Sequence, residues 1–407
     1  MKSRRLAILL LMASWMQASP AANLPSFQAL LDATPAGGTL RPAPGIYAGP
    51  ATLNKPLLID GGGKVTVDGG GTGSVLFLAT GGATVRGLIL RNTGQSHDRI
   101  DAAVTVSGDG NRVEDNTIDD ALFGIHLKQA NRNLITNNRI RSKAVESALR
   151  GDGIRLWNSV ENRIEGNDID RVRDLTVMNS PRNLIAGNSI RNARYAMQFV
   201  FSPDSVVENN ALSGNVTGIV VLNSDNVVVR NNRISHSMET SSAGVAVKKS
   251  GEVTVEGNEI VHCAVGVLAD SPINPEDKLI LRDNRIAHNT TGMQFYGERG
   301  GHVIHGNSFE KNLSQVVVFG GGNATDNEWL GNYWDDYEGF DLDRDGVGDK
   351  PYELYAYADR IWMENPKARF FRNSPVLELL DFLERLAPFS APDMLLRDPA
   401  PRFRKPK

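Results

Sequence analysis

The feature that most restricts this chain is a short motif that returns nine times. An aliphatic residue, two spacers, an asparagine, one spacer and a second aliphatic make up VEDNTI (113–118), ITNNRI (135–140), IEGNDI (164–169), IAGNSI (185–190) and VENNAL (207–212). The pattern continues through VRNNRI (229–234), VEGNEI (255–260), LRDNRI (281–286) and IHGNSF (304–309), and GNYW around Asn332 closes the series. The aligned asparagines, Asn116 to Asn307, follow one another at intervals of 21 to 29 residues. That period is too short for a strand–helix–strand unit and carries no helical pattern. The apolar alternation has period two over four to six residues, which suits short strands. One such repeat cannot bury its apolar side alone. Stacked repeats can, with each strand pairing in parallel with its equivalents about 4.8 Å above and below. The predicted fold is all-β, a right-handed parallel β-helix. The aliphatics form inward ladders. The asparagines take a corner, where the residue tolerates the left-handed conformation and its amide can bond the amide of the next coil.

Earlier segments keep the strand–turn rhythm without the asparagine: KPLLIDGG (55–62), KVTVDGG (64–70), SVLFLAT (74–80) and ATVRGLIL (83–90). Ser26 to Asp32 has a helical pattern fit to cap the open end, as solenoids require. The expected organisation is an export signal over 1–21, a β-helix over 22–335 and an Asp-rich loop with a C-terminal helical segment over 336–407. Lys2, Arg4 and Arg5 precede an apolar stretch, Leu6 to Met16, too short to span a bilayer, and small residues around Ala21 follow. The chain is therefore expected outside the cytoplasm. Its single cysteine, Cys263, leaves the fold to rest on packing, and a net charge of -3 gives no reason to expect nucleic acid as a partner.

Two coils carry insertions. Asn138 and Gly153 are 15 residues apart and Asn232 and Gly244 are 12 apart, where eight is usual, so SKAVESALRGD and HSMETSSA are expected to leave the stack at one corner. Strand alternation also predicts two outward columns. His126, Arg155, Thr176, Gln198, Val220, Ala246, Leu268 and Gln294 form the first; Lys128, Trp157, Met178, Val200, Leu222, Lys248, Asp270 and Tyr296 form the second. Trp157, Met178, Val200, Val220 and Leu222 would make an apolar patch, the usual sign of a partner or of a covering segment.

Two sets of residues are candidate metal ligands. His236, His262 and His288 fall four positions after consecutive ladder asparagines, with Met238 and Cys263 beside them. Imidazole, thioether and thiolate form a ligand set for Cu(I), although histidine is also at home in a solvated corner. Asp341, Asp343, Asp345 and Asp349 alternate before a glycine turn and are similar to a calcium loop, with Tyr352 where the terminal glutamate would stand.

RGDGIRLWNS (150–159) with RNARYAMQFVFS (191–202), and GNYWDDYEGFDLDRDGVGDKPYE (331–353) with the stretch from Asp359 to Phe389, resemble the NosD-type maturation proteins of nitrous oxide reductase. The resemblance implies a periplasmic β-helix, peripherally attached to the inner membrane through an ABC transporter permease. It also implies a role in assembling the copper–sulfide centre of the reductase, without catalysis of its own. A copper-chaperone lipoprotein and the reductase are the other implied partners. Family members often carry His and Met where this chain has Gln198 and Val200, and Met where it has Leu222, so the patch reads here as a docking surface. The apolar helical face containing Leu379, Phe382 and Leu383, starting near Pro375, would cap the last coil and pack on the transporter. The rival reading is a carbohydrate-active lyase, epimerase or hydrolase, with Arg150, Asp152 and Arg155 supplying charge; RGDG is more simply a tight turn bonded by Asp152.

Overall fold

Each turn of the chain lays down two very short strands around a kink and then a longer one. In the computed structural model, which describes residues 24–270, 277–297, 300–320, 323–356, 374–375, 379, 382–383 and 393–405, these strands stack into a parallel β-helix. The short strands form a 24-stranded sheet and the longer ones a 12-stranded sheet. A third, two-stranded sheet closes the far end. The predicted export signal lies outside the described residues.

Register follows the inward ladders. Ile135 pairs with Ile164, Ile164 with Ile185 and Ile185 with Val207. Beyond the kink, Ile140, Ile169, Ile190 and Leu212 align. In the long strands Leu127, Leu156, Val177 and Phe199 stack. All these side chains are buried, so a slip of one residue would turn each ladder out to water. The first coil is sealed by the helix Phe27–Ala33, whose start is capped where Ser26 Oγ accepts from the Ala29 N–H at 3.3 Å.

The asparagine ladder runs through the buried side of the kink. Each asparagine receives two bonds at its Oδ1, from the backbone N–H and the Nδ2 of the preceding one. For Asn188 onto Asn210 these are 2.8 and 3.0 Å. Its own Nδ2 also reaches a carbonyl of the preceding coil, as Asn210 does to Ile185 at 3.0 Å. The expected amide-to-amide stacking is therefore present, but the left-handed conformation belongs to the residue before: Asp115, Asn137, Gly166, Gly187, Asn209, Asn231, Gly257 and Asp283 all have φ between 54° and 64°. The division of labour is physical. The exposed residue makes the turn, and the buried one satisfies backbone groups that the kink frees from the sheet.

At the C-terminal end an antiparallel pair, Tyr352–Ala356 with Asp393–Asp398, packs on the last coil, while most of the expected capping helix lies outside the described residues. Tyr352 extends the aromatic column, stacking on Trp334 at 4.3 Å as Trp334 stacks on Phe309 at 4.5 Å. Asp398, wholly buried, ends the ladder. One of its carboxyl oxygens accepts from Asn332 N and Nδ2, both at 2.9 Å, and from Trp334 Nε1 at 3.3 Å; the other accepts from Gly331 N and Ala400 N, both at 3.2 Å.

Candidate functional site

The outward columns form in register. Arg155 pairs with Thr176, Thr176 with Gln198 and Gln198 with Val220, while Trp157, Met178, Val200 and Leu222 lie on successive coils. Trp157, Met178, Val200 and Leu222 are half-buried, and Val220 is buried, which narrows the apolar patch to its outer column. His126, in the neighbouring column, is buried with its Nε2 bonded to no group in the structure. Burial, reinforced by the nearby cations Arg155 and Lys128, lowers its pKa to about 4.

That imidazole has a consequence for pH. It binds a proton near 6.5 in the unfolded chain and only near 4 in the fold, so acid favours unfolding. Stability attributable to this group is intact above about pH 6.5 and falls as pH drops towards 4. Urea unfolding at pH 7.5 and 4.5 should show His126→Gln losing less than wild type over this interval, by on the order of 2–3 kcal/mol.

The three histidines stack as adjacent corners. Ring centroids of His236 and His262, and of His262 and His288, are 5.2 Å apart, with interplanar angles of 28° and 17°. All three are exposed and have φ of 53° to 61°, a conformation histidine adopts more readily than most residues. In a stacked pair the nitrogen lone pairs lie in parallel planes, so one ion can join two neighbours only if the rings tilt towards it. With metal–nitrogen bonds of about 2 Å, the outer two, two stacking steps apart, cannot share an ion. Cys263 does not join them. Its side chain is wholly buried, its thiol donates to the Val261 carbonyl at 3.4 Å, and burial pushes its pKa up to about 11. Met238 is exposed on the inserted loop. The donor set thus fits a soft ion only at one adjacent imidazole pair.

Asp341, Asp343 and Asp345 bring carboxylate oxygens within 4.8 Å of one another. Asp349 is not part of that cluster; its Oδ2 accepts from Leu342 N at 2.7 Å. Leu379, Phe382 and Leu383 are helical and 55%, 56% and 42% exposed.

Asp152 is not a turn-bonding residue. Its buried carboxyl accepts from Arg155 Nη1 at 3.0 Å and, from the next coil, from Arg173 Nε and Nη2 at 3.0 and 2.8 Å. Sealed beneath two guanidinium groups, it has no path to a substrate. Arg150 bonds the Val145 carbonyl at 3.3 Å and braces the inserted loop. Arg173, Asp174 and Arg194, which complete this cluster, were not singled out by sequence; they share no motif and meet only because their coils stack.

A family model described as "Periplasmic copper-binding protein (NosD)" matches residues 138–339. A "Probable ABC transporter binding protein NosD" from Pseudomonas aeruginosa is 30% identical over 388 residues, 89% of this chain and 88% of that protein. The chain belongs to the NosD family. A protein of the same description from Stutzerimonas stutzeri is 38% identical over 89 residues, 21% of this chain and 20% of the relative. Among solved structures, the mannuronan C-5 epimerase AlgE6 A-module of Azotobacter vinelandii aligns with a TM-score of 0.52 at 15% identity, over 75% of this chain and 96% of that one. At that identity the likeness is one of fold. Membership places the chain in a periplasmic copper-binding family whose curated relatives are named for binding an ABC transporter. Among the described residues no helix is long and apolar enough to cross a membrane.

Proposed function

We propose that the chain is a periplasmic docking scaffold in the assembly of the copper–sulfide centre of nitrous oxide reductase. In this reading it is held at the inner membrane by an ABC transporter permease and receives a copper-chaperone lipoprotein and the reductase. The observation that carries the reading is the column Trp157, Met178, Val200 and Leu222, apolar side chains in register on a stiff stack and not closed over by the core. A relative named for binding an ABC transporter supports an occupant for such a face. The exposed Leu379, Phe382 and Leu383, three and four residues apart, supply a second apolar contact suited to the permease.

The test is to replace these three by serine together. Truncation before residue 374 would also remove Asp398 and unfold the end of the stack. The triple variant should keep its thermal midpoint and lose its association with transporter-containing membranes by about ten-fold or more, as expected when anchor residues are removed. Undiminished co-purification would reject the permease contact.

Copper is cargo in this reading, held briefly by His262 with either neighbour. Anaerobic Cu(I) titration should show one ion per chain. His262→Asn, which suits the left-handed corner, should abolish binding, and Cys263→Ser should not affect it. We read the Asp341–Asp343–Asp345 loop as a structural calcium site. Ca²⁺ should raise the thermal midpoint of wild type and leave that of Asp343→Asn unmoved.

A further inference from the structure

The two long insertions stand four coils apart, and between them lies a cavity of about 1030 Å³. Ser147 and Ala148 line one wall and Met238 to Ser241 the other. The walls are braced. The Leu149 carbonyl lies 3.1 Å from His97 Nε2, and Ser242 Oγ donates to the carbonyls of Ser237 and Glu239 at 2.8 and 2.6 Å. The floor is formed by Arg173, Asn192, Arg194, Tyr195 and Thr217.

The charges of the ion-pair cluster to which this floor belongs do not balance, although Arg155 of that cluster does not itself line the cavity. Three guanidinium groups, on Arg155, Arg173 and Arg194, surround two carboxyl groups, on Asp152 and Asp174. Both carboxyl groups are at most 1% exposed, whereas the three arginine side chains are 19%, 28% and 50% exposed. The negative groups are spent on the inner edges of the arginines. Asp174 receives Arg194 Nε at 3.1 Å and Tyr195 N at 3.0 Å on one oxygen, and Arg194 Nη2 on the other. Arg194 is also fixed over the Tyr195 ring, 4.4 Å from its centroid. A preorganised guanidinium facing a walled space loses little freedom on binding and presents a planar donor edge matched to a carboxylate. Glu239, the one acidic group among the lining residues, stands exposed on the wall.

We propose that this slot binds a carboxylate ligand, seated on the outward edge of Arg194 with Arg173 behind it and Tyr195 alongside. The carboxylate comes either from a small soluble acid or from an acidic side chain of a protein segment laid between the loops. The slot is separate from the apolar column and stands or falls independently of the docking reading.

Calorimetry at low ionic strength on the full chain, with citrate and with an N-acetylated hexaglutamate peptide, tests the proposal and separates the two sources. At least one probe should bind, with affinity falling as salt rises. Ser147→Glu and Ser241→Glu alter exposed wall positions without touching the ion pairs. Each should weaken binding about ten-fold, as should Arg194→Gln if it folds. Tighter binding of citrate assigns the slot to a small acid, and tighter binding of the peptide assigns it to a protein segment. Binding of neither probe, or binding indifferent to both wall substitutions, overturns the proposal.

Discussion

Asp398→Ala should destabilise the chain by about 3–5 kcal/mol, read as a lower urea midpoint with early loss of the terminal coils. The residue is wholly buried and its two oxygens accept from five donors, four of them on residues 331–334. Alanine would strand those donors in a buried site. Asparagine, nearly identical in shape, should be little better, since its NH₂ group would face N–H groups where an acceptor is required. An Asp398→Asn variant as stable as wild type would show that shape, and not acceptor capacity, closes the ladder. With the end opened, the unpaired edges of the last coil should also promote end-to-end association, visible by light scattering.

Within the stack the requirement is reversed. Asn210 accepts twice from Asn188 and donates to Asn232 Oδ1 at 2.9 Å and to the Ile185 and Glu208 carbonyls, both at 3.0 Å. Asn210→Ala should lower stability by about 3–4 kcal/mol, the sum of a small cavity and several stranded groups. Asn210→Asp should be worse at pH 7, because an ionised carboxylate has no hydrogen to offer three facing oxygens. Acidification should bring the two variants together as the new carboxyl gains a proton and can donate again. If the aspartate variant is the more stable at pH 7, the amide hydrogens are not what the ladder needs.

The stack itself was readable because its signals repeat. One Asn-x-aliphatic motif is weak, but nine at nearly constant spacing leave few other folds, and the outward columns followed from alternation alone. Features outside the repeat were not readable. The left-handed corner sits on the residue before each asparagine because that position is exposed, and exposure is invisible in a single motif. Cys263 looked like a neighbour of His262, yet adjacent residues at a corner point to opposite sides of the wall, one to solvent and one to the core. Asp152 reads as a turn residue in sequence because its second partner, Arg173, lies a full coil away. The closing pair of strands joins residues 352–356 to 393–398 across a stretch with no periodicity, so neither its pairing nor the role of Asp398 could be inferred. The signals missed were charge pairs and acceptor counts that exist only once coils are superposed.

The asparagine ladder has a direction. From Asn116 to Asn332, the backbone N–H of each ladder asparagine points to an acceptor that the chain has yet to reach, and residue 398 supplies the last. A polypeptide emerging N-terminus first can complete every coil only by waiting for the following one. When emergence has reached any point between residues 332 and 398, the growing tip still has unmet donors. Final closure is thus timed by delivery of a segment remote from the repeats, and a stalled or clipped chain would present an adhesive end to its surroundings.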